Sequence, residues 1–392
     1  MTQQHCPVCH HDGMTDFIAL EDLPVHCNLL WPSREVALQA PKGDIRLGFC
    51  QKCGMIYNRL FDPNLLQYTL AYENSLFFSP HFQAYAEEQA AQLIKRYQLR
   101  DKDVLEIGCG KGEFLSLLCQ GGQNRGVGFD PSYDGRGADS GMGENLIVIR
   151  DFYSEAYAEY AADFICCRQV LEHLQHPCDF LWQLRRTIGD RRDTVVFFEV
   201  PNVLYTLHDL GIWDIIYEHC SYFSAPALTR LFQETGFTVL QVYPAFDGQY
   251  VCLEAIPSAE DALCGGEVSE EPRQMLGDVV AFGESYRNKV RTWNVRLGHL
   301  FAAGKRIVVW GAGSKGVTFL NTIEHGERIR YVVDVNPHKQ GRYVAGTGQE
   351  VVSPEETARL HPDTILVMNP IYKGEILAKV SDLGLDAEIM VV

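Results

Sequence analysis

The chain has 392 residues, 46% of them hydrophobic, which suits two or three globular domains with sizeable cores. Its net charge of −17 counts against a broad nucleic-acid surface, which needs clustered Lys and Arg. No apolar run approaches the ~20 residues of a membrane span. The N-terminal MTQQHCPVCHHDG has no signal-peptide core, so the 13 cysteines predict a reducing, cytoplasmic setting with thiols free or on metal. The expected partner is a small molecule, with no nucleic acid and no membrane.

Cys6 and Cys9 form one C-x-x-C pair, and Cys50 and Cys53 a second. Each pair can aim two sulfurs at one point, and two pairs complete a tetrahedral thiolate site for a structural Zn²⁺ with no open position. The insert between them predicts a small β-rich lobe over residues 1–68. Residues 60–100 then connect to the next unit, through an aromatic-rich run containing Tyr68 and Tyr72, which are candidates to reach an active site. Phe82, Tyr85, Ala86, Ala90 and Leu93 recur at helical spacing and predict a helix over Pro80–Leu99.

Residues 69–258 are expected to form the central domain, around the stretch from Asp103 to Asp130. Val104, Leu105 and Ile107 make a short strand, Gly108, Gly110 and Gly112 a turn, and Glu113–Cys119 the start of a helix. A second strand, Gly126–Phe129, ends in Asp130, where a carboxylate can accept both ribose hydroxyls. Dinucleotide enzymes need G-x-G-x-x-G for close approach to a pyrophosphate. Here the glycines run G-x-G-x-G and Glu106 stands on the strand before them. S-adenosylmethionine, which has no phosphate, suits a tight turn flanked by carboxylates, and E-x-G-C-G-x-G resembles the first motif of class I methyltransferases, with Asp130 as their ribose-binding acid.

Leu146–Ile149 predicts a third strand, followed by Asp151 and Phe152 where such enzymes often carry an acid near the adenine amine. Phe164–Cys167 predicts another, with Gln169 to His173 just past its end, where open α/β sheets bind ligands. Thr194–Glu199 is the next. The run WDIIYEHCSYFS, Trp213–Ser224, then packs Tyr217, Glu218 and His219 together. A carboxylate beside an imidazole can orient it as a base, so His219 and Glu218 are catalytic candidates, the alternative for His219 being a satisfied structural residue. A helix and two paired strands, TVLQVYP and YVCLEA, complete the domain.

Residues 259–392 are expected to form a third unit. An acidic, linker-like stretch leads into a long helix, Pro272–Ala303, that could bridge two domains. RIVVWGAGSKGVTFL and RIRYVVDVNP then make a second Rossmann-like pattern, in which Gly311, Gly313 and Gly316 have G-x-G-x-x-G spacing with Asp334 about twenty residues on. Alone, this is a dinucleotide fingerprint, and it is also the pattern of a degenerate domain that binds something else.

The cysteine pairs, EHCSYFS, and the C-terminal WGAGSKG with DVNPHKQGRY together resemble one family, the deoxysugar C-methyltransferases of nucleotide-linked 4-keto sugars. The resemblance covers nearly the whole chain. It implies a zinc lobe, a class I S-adenosylmethionine domain and a C-terminal Rossmann-like domain for substrate without a redox cofactor. It also implies catalytic roles for His219, Glu218, His173 and Tyr72. The chain departs from that family in reading I-Y-E-H for Y-H-E-H, so Tyr217 is the stand-in for a displaced tyrosine. It also carries Glu172 where the family has alanine, and Ala345-Gly346 for a proline-glycine pair. The expected chemistry is S-adenosylmethionine-dependent C-methylation, with His219 removing a proton beside a ketone, Glu218 orienting it, and His173 with Tyr72 or Tyr217 steadying the enolate. O- or N-methylation of another small molecule, and a nicotinamide oxidoreductase using Gly311–Gly316, are the rival readings.

Overall fold

The structure is a computed structural model that describes residues 5–66, 72–135, 145–259 and 271–392. Tyr68 and most of the acidic stretch after Ser258 lie outside the described residues. Three strands come first, β1 (Thr15–Pro24), β2 (Lys42–Phe49) and β3 (Ile56–Asn58). Next come β4 (Asp103–Ile107), β5 (Arg125–Phe129), β6 (Leu146–Ile149), β7 (Phe164–Arg168) and β8 (Val195–Pro201). The short β9 (Ser221–Tyr222) precedes β10 (Phe237–Ala245) and β11 (Tyr250–Pro257). The last are β12 (Ile307–Trp310), β13 (Tyr331–Val333), β14 (Glu350–Val352), β15 (Thr364–Val367) and β16 (Glu388–Val391).

The strands form three sheets. The central one runs β10-β11-β8-β7-β4-β5-β6, with β11 antiparallel to both neighbours and the rest parallel. Its middle strands are buried along their length, as parallel strands covered on both faces must be: all five residues of β7 are buried, and Val104 to Ile107 of β4. From β4 the chain turns first to β5 on one side and later to β7 on the other. A crevice therefore opens at the carboxyl end of β4, the switch point where such sheets bind ligands. This is the mixed α/β sheet of class I methyltransferases.

The helix after residue 79 spans Pro80–Tyr97 and ends where Gln98 turns left-handed, two residues short of the expected Leu99. It buries Phe82, Ala86, Ala90 and Leu93, the face that their spacing marks. The C-terminal sheet, β14-β13-β12-β15-β16, is wholly parallel. The long helix Glu271–Ala302 packs Phe282 edge-on against Phe17 of β1 and Trp293 against Phe319 of the C-terminal unit. Its Gly283 lies so close to β1 that a Cβ there would meet the Phe17 carbonyl oxygen at 2.7 Å.

The lobe is the antiparallel sheet β1-β2-β3, and its fourth strand is β9, from the run after Trp213. Ile56 pairs with Tyr222 and Tyr57 with Ser221. The same run bridges Phe223 to Asn202 beyond β8, and sets Trp213 edge-on to Phe319 at 5.0 Å. Residues 213–223 thus touch all three sheets' surroundings at once. No described helix is long and apolar enough to cross a membrane.

Candidate active site

One cleft of about 350 Å³ lies where the carboxyl ends of β4 and β7 face the glycine turn after β12. Residues from the lobe and the connecting segment, Asn28 and Tyr72 to Ser79, close it.

At one end is the turn after β4. Gly108, Gly110 and Gly112 have φ of +71°, +55° and +81°, a region that side chains with a Cβ disfavour. A Cβ at Gly108 would also run into Val170 at 2.2 Å, whereas at Gly110 nothing lies within 4 Å, so that backbone is open to a ligand. Glu106, Gly108, Gly110 and Gln169 line the cleft; Gly112, Asp130, Asp151 and Phe152 lie outside its lining. Glu106 is buried, one carboxylate oxygen has no hydrogen-bond partner, and burial pushes its pKa up to about 8. An orphaned carboxylate beside an open glycine turn fits the ammonium and backbone of an amino-acid ligand such as the methionine end of S-adenosylmethionine.

Asp130 accepts the Gly110 amide at 2.8 Å with one oxygen and Ser132 with the other, so it braces the turn. Its amide donates to Ile149 at the end of β6, which puts Asp151 and Phe152 farther along the same sheet edge. The Asp151 carboxylate accepts from the Phe152 amide and the Tyr157 hydroxyl, and the Phe152 side chain is 64% exposed. Gln169, left-handed at φ +56°, donates to Glu199 at 3.2 Å. Arg168 pairs with Glu199 at 3.0 Å and lies over the Phe114 ring at 3.9 Å.

At the other end His173 and His219 sit edge to face, ring centres 4.9 Å apart. The backbone carbonyl of Glu218 lies 2.9 Å from His173 Nδ1, and since a carbonyl only accepts, that nitrogen carries the proton. Burial lowers the pKa of both rings, and His219, next to His173 and Lys315, is held well below the usual range. Both are uncharged at neutral pH. Nδ1 of His219 is buried without a hydrogen-bond partner.

Two expected catalytic groups turn away from this end. The Glu218 carboxylate is fully buried and accepts the Cys27 amide at 3.0 Å, with His26 Nδ1 at 3.5 Å, so it ties the loop to the lobe and does not orient His219. Tyr217 points into the lobe as well: its hydroxyl accepts the Asp62 amide at 2.9 Å, its ring packs on Phe61, and it is absent from the cleft lining. The chain turns tightly here, the His219 amide donating to the Ile216 carbonyl at 3.2 Å, and the turn sends these neighbours to different places. Tyr72 lines the cleft, and its hydroxyl accepts from Asn28 at 3.4 Å. Glu172 was singled out in the sequence only as a departure from a pattern. It lines the cleft, is 1% exposed, and has its pKa pushed up to about 8 by burial.

The far wall is the turn after β12. A Cβ at Gly316 would meet the Gly311 carbonyl oxygen at 2.0 Å, so the third glycine is required for the turn itself. The Asp334 carboxylate accepts the amides of Ala312 and Asn336, each at 2.8 Å, and Lys339 Nζ donates to the Ala312 carbonyl at 3.3 Å. Lys315 pairs with Asp214, joining this wall to the histidine loop. Sequence reasoning missed these lysines, because nothing in their spacing announces a cleft formed between two domains.

The four lobe cysteines converge as their spacing predicts. Cys6 and Cys53 sulfurs are 3.4 Å apart, Cys9 and Cys50 3.5 Å, and all four lie within 4.8 Å of one another. Tetrahedral zinc with ~2.3 Å Zn–S bonds requires about 3.8 Å between sulfurs, so the cluster could hold zinc. Gly54, at φ +77°, lets its amide return to the Cys50 carbonyl.

A family model described as "Methyltransferase domain" matches residues 82–242, and one described as "C-methyltransferase C-terminal domain" matches residues 269–390. The C-methyltransferase NovU of Streptomyces niveus is 27% identical over 390 residues, covering 95% of this chain and 91% of that protein. Among solved structures, magnesium protoporphyrin IX methyltransferase (ChlM) from Synechocystis PCC 6803 is 17% identical and covers 45% of this chain and 84% of its own, with a TM-score of 0.37. The 1,6-didemethyltoxoflavin-N1-methyltransferase of Burkholderia thailandensis is 14% identical and covers 52% of this chain and 96% of its own, with a TM-score of 0.37. With both matched domains in their order along one chain, and the glycine turn and orphaned carboxylate at the sheet's switch point, this protein is an S-adenosylmethionine-dependent methyltransferase carrying the C-terminal domain of C-methyltransferases.

Proposed function

We propose that this methyltransferase methylates a carbon next to a carbonyl in a nucleotide-linked sugar or related small molecule, in the cytoplasm. The observation that carries the reading is the uncharged His173–His219 pair in the same cleft as the glycine turn after β4. S-adenosylmethionine supplies the electrophilic methyl group. The turn at Gly108, Gly110 and Gly112 holds its amino-acid end, and Glu106 takes the ammonium. Asp130 meets the ribose, with Gln169 alongside. Asp151 and Phe152 stand at the adenine end.

His219 is the proton acceptor of this reading, while His173 and Tyr72 steady the oxygen on which charge develops. Lys315 and Lys339, on the turn after β12, are cationic groups within reach of an anionic handle such as a diphosphate. The match of residues 269–390 to a C-methyltransferase C-terminal domain favours this role for the C-terminal unit over nicotinamide binding. The three units, residues 1–68, 69–258 and 259–392, meet at the 213–223 loop.

The test is transfer from ¹³C-methyl-labelled S-adenosylmethionine to nucleotide-linked 4-keto sugars, with NMR of the product. A new C–CH₃ resonance is expected. A methyl group on oxygen or nitrogen would overturn carbon methylation while leaving the enzyme class intact.

A further inference from the structure

Both carboxylate oxygens of Glu172 are buried with no hydrogen-bond partner, and so is Nδ1 of His219. A Glu172 oxygen and a His219 ring nitrogen lie within 4.8 Å of one another. Other buried carboxylates nearby have donors: Glu199 has Arg168, Tyr85 and Gln169, Glu218 has the Cys27 amide, and Glu73 has Lys111 and Asn336. A buried polar atom without a partner costs its full desolvation. Glu172 and His219 are thus two such groups set beside each other at the acceptor end of the cleft.

The backbone holds them in that relation. Glu172 lies on the short 3₁₀ turn Leu171–His173 after β7, and His219 on the loop that β9 pins to the lobe. Three bonds lace the two segments together. His173 Nδ1 donates to the Glu218 carbonyl at 2.9 Å, Cys220 Sγ to the Glu172 carbonyl at 3.5 Å, and Ser221 Oγ to the Leu174 carbonyl at 3.4 Å. The His219 ring is half-buried and lines the cleft while its Nδ1 is sealed off, so Nε2 is the nitrogen that the cleft can reach. A neutral imidazole that accepts a proton at Nε2 carries its resting proton on Nδ1. That N–H needs an acceptor on the buried side, and the Glu218 carboxylate is committed to the lobe. Glu172 is the carboxylate within range. Two atoms up to ~5.5 Å apart, twice an ordinary hydrogen bond of ~2.8 Å, can share one water. The two Glu172 oxygens and Nδ1 supply the about three polar partners that a buried water takes.

We propose that Glu172 is the positioning residue of the proton acceptor: its carboxylate takes the Nδ1 proton of His219 in a hydrogen bond through one bridging water and so keeps the Nε2 lone pair turned to the cleft. The inference rests on the reading of His219 as proton acceptor and deepens it. The acceptor's C–H bond breaks and its proton moves to Nε2. The electron pair left on carbon forms the bond to the methyl group as the sulfur–methyl bond breaks, and that bonding pair stays on sulfur. The imidazolium so formed has its positive charge beside the Glu172 carboxylate, and it returns the proton to solvent when the product leaves. A protonated Glu172 does the opposite. It donates towards Nδ1, puts the resting proton on Nε2 and blocks the acceptor. Burial pushes the Glu172 pKa up to about 8, so this choice falls within the range where the enzyme can be assayed. The groups facing the pair are Glu199, Cys167 and Cys220 around Glu172, and His173, Lys315 and Tyr222 around His219. Burial keeps both histidines uncharged and raises both thiols and the phenol, so Glu172 is the group expected to change charge near pH 8.

The test uses the full-length protein labelled with ¹⁵N-histidine, and it needs no methyl acceptor. Ring ¹⁵N shifts report which nitrogen carries the proton, and the His219 signals are assigned by their loss in His219→Ala. In the wild type the His219 proton is expected to move from Nε2 to Nδ1 as pH rises through about 8. In Glu172→Gln it should stay on one nitrogen across that range. Turnover with a nucleotide-linked 4-keto sugar should rise about tenfold from pH 7 to 9 in the wild type, following the ionised fraction of the carboxyl. In Glu172→Gln it should be flat and at least tenfold lower at pH 9, with S-adenosylmethionine affinity retained. A wild-type tautomer that does not change with pH, or one that changes identically in Glu172→Gln, would overturn the proposal. The wild-type titration decides even where the variant folds poorly. If the tautomer is fixed and His219→Ala is inactive, His219 as proton acceptor stands and only the role of Glu172 falls. If His219→Ala turns over at the wild-type rate, the reading beneath the proposal falls with it.

Discussion

The carboxylate of Glu218 accepts the amide N–H of Cys27 at 3.0 Å, across 191 residues of sequence. One residue on, His219 lies in the cleft. The zinc-type lobe is therefore part of what holds the histidine loop, through this bond and through the pairing of β3 with β9. The lobe acts on the reaction by positioning, and Glu218 is a positioning residue of the loop as a whole.

Replacing Glu218 tests this. Glu218→Ala leaves the buried Cys27 amide without its acceptor, which should cost about 1–3 kcal/mol of stability. Thermal unfolding should report the loss, and calorimetry should find S-adenosylmethionine affinity nearly unchanged, because the proposed donor turn follows β4 and has no part in this bond. A variant as stable as the wild type would remove the lobe–loop tie from the account.

His219→Ala should lower turnover by ~10²–10⁴-fold, the range for loss of a group that manages a proton. Affinity for S-adenosylmethionine should hold, since Glu106 and the glycine turn, the proposed donor site, lie at the opposite end of the cleft. Tyr217→Phe should leave turnover close to wild type, because that hydroxyl serves the Asp62 amide. Steady-state kinetics on the three proteins checks both statements. A Tyr217→Phe protein as slow as His219→Ala would show that the tyrosine acts in the reaction after all.

Glu106 provides a pH signature. Burial raises its pKa in the folded protein from 4.5 to about 8. The folded state thus holds this proton more tightly than the unfolded chain does. Its contribution to stability is fully present below about pH 4.5 and is lost progressively as pH rises toward 8. Relative to Glu106→Gln, the wild-type protein should lose stability between pH 5.5 and 7.5, as read by chemical denaturation. In the same window S-adenosylmethionine affinity should rise with pH in the wild type, since the ammonium needs the ionised carboxylate, and stay flat in the variant. A flat wild-type profile from pH 6 to 7.5 would detach Glu106 from the donor's amine.

The two glycine turns separate by mutation of their acids. Asp130→Ala should weaken S-adenosylmethionine binding by roughly 1–3 kcal/mol, the value of a charged acceptor with its hydrogen bonds. Asp334→Ala should leave that binding alone, because Asp334 braces the turn after β12. Isothermal calorimetry decides, and damage confined to Asp334→Ala would reverse the assignment of the two domains.

Metal analysis of the purified protein should return one zinc per chain at the four cysteines, retained after brief chelation, because a four-thiolate site is closed. Cys50→Ser should lose that ion and fold poorly. A metal-free wild-type protein that folds normally would count against the site.

Much of this protein is determined by short-range physics and can be read from the sequence. Gly108, Gly110 and Gly112 must take positive φ, the buried run of β4 needs cover on both faces, and C-x-x-C puts two sulfurs on one turn. These features depend on neighbours within a few residues, so spacing alone reveals the strand, the turn and the cysteine cluster. The direction of side chains in the 213–223 loop is another matter. Tyr217, Glu218 and His219 are consecutive, yet one meets Asp62, the next Cys27 and the third the cleft. Partners so distant in sequence set those directions, and no local pattern encodes them. Glu172 makes the same point, since a carboxylate becomes an orphan only when packing removes its water. The sequence by itself determined the glycine turn after β4 and the likeness to C-methyltransferases. Only the tertiary structure, by closing three sheets around one loop, decided which of the loop's polar residues face the chemistry.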